Sequence, residues 1–184
     1  MSRSKVATVG IACTAGAFAA VMAMSGTANA IPPEQRGVTL TCVDILTNIT
    51  YSTNGAGTLA SSDPGSPNPQ KMKLTSSIKA PVKIAANSLT TTIRTVTSAS
   101  VAWDFSGTIN LPMNVGDPIT LGGVPAASRL PSGTSVTLLG TSGTPSATNY
   151  SVRIQANIPA PADIRCVGGQ DIVPPNTTPT PFTF

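Results

Sequence analysis

The sequence predicts an all-β chain: an immunoglobulin-like β-sandwich, with a small β-barrel as the alternative, behind a cleavable N-terminal export signal. Three observations carry that expectation. Short runs rich in Thr, Ser, Val and Ile alternate apolar and polar residues with a period of two, as strands do when they bury one face. Gly and Pro, 16 and 17 of the 184 residues, punctuate those runs at intervals too short for helices. After residue 30 no stretch repeats apolar residues at helical spacing. Many short strands separated by turns fit a sandwich or barrel.

In chain order, "MSRSKVATVGIACTAGAFAAVMAMSGTANA" comes first. Arg3 and Lys5 form a basic start, Val6 to Met24 carries no charge, and Ala28 and Ala30 stand in the Ala-x-Ala arrangement of a cleavage site. Residues 1–30 are therefore expected to be a signal peptide. The run approaches spanning length, but its Ala, Gly and Thr content makes a weak span, and no stable membrane span is expected after cleavage. Most of the apolar run follows Cys13, and Gly10 stands where a lipidation signal wants a large aliphatic, so Cys13 is read as part of the discarded peptide. Residues 31–172 are expected to form one β-sandwich domain, and residues 173–184 a Pro/Thr-rich C-terminal tail.

Within the domain, "GVTLTCV" puts Val38, Leu40 and Cys42 on one face, and "ILTNITY" (45–51) follows as a second or bent strand. "NGAG" (54–57) and "GG" (122–123) read as breaks needing positive φ, and "SSDPGSPNPQ" (61–70) as an exposed loop. "KMKLTSSIK" (71–79) alternates at Met72, Leu74, Ser76 and Ile78, and Pro81 interrupts before "VKIAA" because it cannot donate to a ladder. "SLTTTIRTVT" (88–97), "SVAWDFSGTINL" (100–111), "GDPITL" (116–121) and "GTSVTLL" (133–139) are further strand candidates. "NYSVRIQANIP" is the clearest, with Tyr150, Val152, Ile154, Ala156 and Ile158 expected on the core face. "VGGQ" (167–170) reads as a turn that sends the chain out into its tail, where Phe182 and Phe184 either tuck against the domain or meet a partner.

Two cysteines remain after export, and the expectation is a Cys42–Cys166 disulfide that places the first and last strands of the 31–172 domain side by side. No metal site is expected, because the chain has no CxxC and no histidine. The lack of histidine excludes Ser-His-Asp and Cys-His catalysis. Ser76 and Lys79 fall on opposite faces of a strand, which removes a Ser-Lys pair. Asp104, beside Trp103 in "AWDF", is the carboxylate best placed to work on sugar, but alternation makes Trp103 a core anchor and turns Asp104 to solvent.

The chain from Ile31 has nine basic against seven acidic residues, without a basic cluster interleaved with aromatics, so nucleic acid is not an expected partner. Lys71, Lys73, Lys79 and Lys83 share one strand face, which reads first as a solvated face and second as a contact for polyanion or anionic lipid. Sequons at 48–50, 149–151 and 176–178 would matter only in a eukaryotic secretory path.

The Ala-rich export signal, the cysteine of "TLTC" and the late cysteine of "IRC" resemble the layout of secreted, β-rich actinobacterial proteins of uncharacterised function. The resemblance covers residues 31–170, implies an extracellular or cell-envelope location, and brings no catalytic residues. The expected function is that of a non-enzymatic, secreted or envelope-associated β-sandwich with a structural, adhesive or surface-binding role, partnered by envelope polymer, lipid or surface protein and needing no cofactor. The alternatives are an extracellular carrier of a small apolar ligand or lipid and, third, a carbohydrate-active enzyme using Asp104. Trp103, Asp104 and the four lysines are the candidate contact residues.

Overall fold

The computed structural model describes residues 31–156, 161–171 and 178–184. The expected signal peptide, Ile158 and the start of the Pro/Thr segment lie outside the described residues. These residues form strands, turns and irregular segments, with no helix among them. The ten strands are β1 (Ile31–Asp44), β2 (Ile49–Asp63), β3 (Lys71–Lys79), β4 (Leu89–Thr97), β5 (Ala102–Thr108), β6 (Pro118–Pro125), β7 (Ser135–Leu138), β8 (Val152–Ala156), β9 (Ala162–Gln170) and β10 (Phe182–Thr183).

They make one antiparallel sheet in the order β10-β7-β4-β8-β9-β1-β2-β3-β6, with β5 added to β4. β8 pairs with the first half of β4 and β7 with its last residues, so two short strands share one edge of a longer one. β5 and β6 meet only through the isolated bridges Phe105–Ala126 and Asn110–Leu121, so the ladder does not close into a barrel. The all-β, sandwich-like expectation holds.

The period of two explains which face goes inward. In β3, Met72, Leu74, Ser76 and Ile78 are buried while Lys73 and Lys79 are exposed. A one-residue slip would turn the lysines into the core, which fixes the register. Val38, Leu40, Leu59, Ile93, Phe105, Leu121, Val152 and Ile154 complete the centre of a single core, each large side chain contributing about 1.5–3 kcal/mol by burial. Tyr150 departs from the expected alternation. Ser151 and Val152 are both buried, and the Tyr150 ring lies under the guanidinium carbons of Arg165 (4.5 Å) and Arg94 (5.0 Å).

Three expected breaks are not breaks. β2 runs through "NGAG": Leu40 pairs with Gly55 and Cys42 with Ser52, so the extra residue forms a bulge. Asn54 takes the positive φ (57° at Asn48, 49° here), and its N–H donates to Thr41 Oγ1 at 3.0 Å. "GG" at 122–123 lies inside β6, and neither glycine has positive φ. "VGGQ" belongs to β9, where Gly168 and Gly169 pair with Leu40 and Thr39. Gly168 has φ 140°, and a Cβ there would stand 2.0 Å from the Thr39 carbonyl oxygen. The glycine therefore permits close approach of β1 and does not turn the chain away.

Cys42 and Cys166 face each other across β1 and β9 and form the disulfide, 124 residues apart in sequence. The bond joins neighbouring strands of one sheet. The 61–70 loop is exposed only at its tip. Its feet are held by Arg129, which donates to both carboxylate oxygens of Asp63 (2.8 and 2.9 Å), and by buried Gln70, which accepts from Leu130 N–H at 2.8 Å. The end of the expected tail is part of the sheet: Phe182 and Thr183 pair with Val136 and Ser135, and Phe182 and Phe184 are fully buried.

Candidate functional site

The antiparallel order brings many chain reversals to one end of the sheet. β1 ends there and β2 begins, β3 ends and β6 begins, β4 begins opposite the end of β8, and β9 begins. The strands do not fill the space between them, and a cleft of about 290 Å³ opens there. Its inner wall is aliphatic: Leu89 of β4, Ile119 of β6, Ile154 and Ala156 of β8, and Ala162 and Ile164 of β9. The segment Pro81 to Ile84 forms one lip, and Thr47, Ile49 and Tyr51 the other.

Pro81 ends β3 without a donor for the ladder, so the next residues cross the mouth of the cleft and are not strand. Ile84 bridges Met113 through both backbone bonds, 2.9 Å each, which ties this lip to the 109–117 connection.

Few polar groups enter the cleft. Asp44 closes β1 and is 2% exposed. It accepts from Thr47 Oγ1 at 2.7 Å, Asp163 N–H at 3.0 Å and Leu46 N–H at 3.1 Å. Burial pushes its carboxyl up, but those donors outweigh burial and hold it below its ordinary value. Tyr51 is shifted the other way, first by burial and then by the Asp44 charge, so its phenol stays protonated at neutral pH. Lys83 stands at the lip as an exposed ammonium. The cleft thus offers an apolar body, a phenol and one cationic edge.

The other sequence-derived candidates scatter. Lys71, Lys73 and Lys79 lie on the outer face of β3, but Lys83 is beyond Pro81 and belongs to the cleft, not to that face. Lys73 lines a shallow groove of about 240 Å³ on the outer face with Gln35, Thr58, Ala60 and Thr75. Trp103 packs half-buried against the core and lines neither cavity, and the fully buried aromatic of β5 is Phe105. The Trp103 indole N–H is buried without a hydrogen-bond partner among the described residues. Asp104 points outward as alternation requires, 4.0 Å from Arg94 Nε. Ser76 is buried and bonded to the Ile119 carbonyl (3.2 Å), while Lys79 faces solvent.

Sequence reasoning missed the cleft itself. Alternation marks Ile119, Ile154 and Ile164 as inward, but not that the strand ends around them splay apart. A weaker signal was present: Leu46, Ile49 and Val82 are large aliphatics in or beside connections, and all are exposed.

Comparison of the chain with protein-family models, with curated proteins and with solved structures finds no match in any of the three.

Proposed function

We propose that this is an exported, non-enzymatic β-sandwich that binds a small apolar ligand in the end cleft. The observation that carries the reading is the aliphatic cavity of about 290 Å³, near the lower end of the range for small-molecule sites, about 300–1,000 Å³. A buried wall of Ile and Leu rewards transfer of hydrocarbon from water at about 25 cal/mol per Å². The Tyr51 phenol and the Lys83 ammonium suit one oxygen-bearing head, such as a carboxylate or alcohol, at the mouth. The disulfide supports assembly in an oxidising compartment, in keeping with the export signal expected at residues 1–30.

Native mass spectrometry of protein recovered under mild conditions tests the reading. A bound mass should be present, and Ala156→Phe, which fills the cleft, should remove it. Wild-type protein that carries no ligand and takes up no fatty acid or long-chain alcohol in titration would reject the reading.

A second reading, adhesion to an envelope polymer, is favoured by the outer groove around Lys73 and its Thr-rich surroundings. Retention on purified cell envelopes that is lost in Lys73→Glu and unaffected by Ala156→Phe would select it.

A further inference from the structure

Large apolar side chains are not spread evenly over this surface. Among the described residues seven are exposed, and six of them lie on or beside the connections at the cleft end: Leu46, Ile49, Val82, Ile109, Leu111 and Val115. Leu111 and Val115 are 67% and 68% exposed. The seventh, Val101, lies near the opposite end. Scattered single apolar residues are ordinary on protein surfaces, whereas a concentration at one end marks a contact site.

The connections that carry them are physically joined. Ala80 N–H donates to the Asp117 carbonyl (2.8 Å), Gly116 N–H to the Ala80 carbonyl (2.9 Å), and Asn87 N–H to the Asn110 carbonyl (3.0 Å). The 80–88 and 109–117 segments therefore form one platform beside the 44–49 turn, and the cleft opens between them. Lys79 and Lys83 are the exposed cations of this platform. Of the described carboxylates at this end, Asp44 is buried and triply bonded, Asp163 is buried and paired with Arg153 and Arg165, and Asp117 accepts from Asn114 N–H at 2.7 Å.

We propose that this end of the molecule docks on an anionic lipid surface, with Leu111, Val115, Val82 and Leu46 entering the interface and Lys79 and Lys83 meeting the headgroups. Apolar tips between basic residues match the layered polarity of a bilayer surface, where cations stay at headgroup level and apolar groups go below it. A second copy of the chain fits less well, because a two-fold pairing through this end would bring together two faces that carry the same exposed cations. The docked orientation would place the cleft mouth on the lipid. In that respect the proposal builds on the ligand-binding reading and names the source of its ligand.

The test uses the exported, oxidised protein with vesicles of phosphatidylglycerol and, separately, of phosphatidylcholine. Co-sedimentation is expected with the anionic vesicles and should weaken with added salt. Leu111→Ser and Val115→Ser should each lower partitioning by about tenfold, with an unchanged melting temperature because both side chains are exposed. Lys79→Glu with Lys83→Glu should remove the preference for anionic lipid. Leu111→Trp in a Trp103→Phe background should show a blue-shifted emission on vesicles. The proposal is overturned by equal or absent binding to the two vesicle types, by binding that these variants leave intact, or by serine variants that dissociate a dimer without affecting vesicle binding. Ala156→Phe separates the two readings: it should empty the cleft and leave vesicle binding in place. Vesicle binding without any ligand removes the cleft reading alone, and ligand without vesicle binding removes the docking surface alone.

Discussion

Asp163 is where single-residue chemistry most affects stability. It accepts from Arg153 (3.0 and 2.8 Å) and from Arg165 (2.6 and 2.9 Å). Burial pushes its carboxyl up, but the two guanidinium groups outweigh burial and hold it at about 2. A carboxyl depressed on folding stabilises the fold above its unfolded value near 3.8, and that contribution is lost as the pH falls through about 2. Asp63, bonded by Arg129, and Asp44 are lowered as well and add to the same acid limb. Denaturant titrations should therefore give a level unfolding free energy from pH 7 to about 5 and a steep fall between about 4 and 2, with about 2–3 kcal/mol from Asp163. Asp163→Asn should cost about 3 kcal/mol at pH 7, because it leaves Arg165, 6% exposed, without a counter-charge. None of this was legible in "ADIRC". Alternation puts Asp163 and Arg165 on one outward face, and an outward Asp and Arg read as solvated. What buries them is the 142–150 connection, whose Ala147 carbonyl accepts from Arg165 at 2.9 Å. Asp104 and Cys42 were legible, because the period of two alone decides the side on which they lie.

Strands follow the same division. β3 spans the expected 71–79 and β7 falls within 133–139, since each is a clean alternation between turn residues. β2 and β9 run on past their glycines because pairing with β1, joined at Gly57 by β3 and at Gly168 by Thr141, outweighs a local preference for turning. Gly168→Ala should accordingly destabilise the protein by more than the ordinary cost of a strained backbone, about 1–3 kcal/mol, since the new methyl meets the Thr39 carbonyl. β10 is the element composition hides best. Its prolines and threonines indicate an extended tail, and only Phe182 and Phe184 indicate otherwise. The Phe184 ring lies 6.0 Å from that of Phe105, and Arg36 stands 5.4 Å above Phe182. Phe184→Ala should cost about 3–5 kcal/mol in chemical denaturation. A solvated tail would tolerate the change.

For the whole molecule, the disulfide is the feature that sequence and structure share most fully. An expected export signal, two cysteines beyond it and no histidine left pairing as the simplest outcome, and β1 and β9 bring the sulfurs together. Intact mass should be two hydrogen atoms below that of the reduced chain. The bond should contribute about 4–5 kcal/mol on a chain-entropy account, so Cys42→Ala with Cys166→Ala should melt far lower while keeping its β-rich far-ultraviolet spectrum in the cold. The cleft was not legible at this scale, because a cavity is a property of how seven strand ends diverge and no local pattern encodes it.

The pairing of β1 with β9 also sets an order of events in time. β1 is synthesised near the beginning of the domain, yet one of its two neighbours arrives only after about 120 further residues, and the buried rings of β10 come last of all. A partly made chain can close the β1–β2 and β2–β3 hairpins but cannot seal its core. Refolding should be slow, in the millisecond-to-second range of chains dominated by distant contacts. A chain ordered in this way leaves its core unsealed, and stays threadable, until β9 and β10 are available to it.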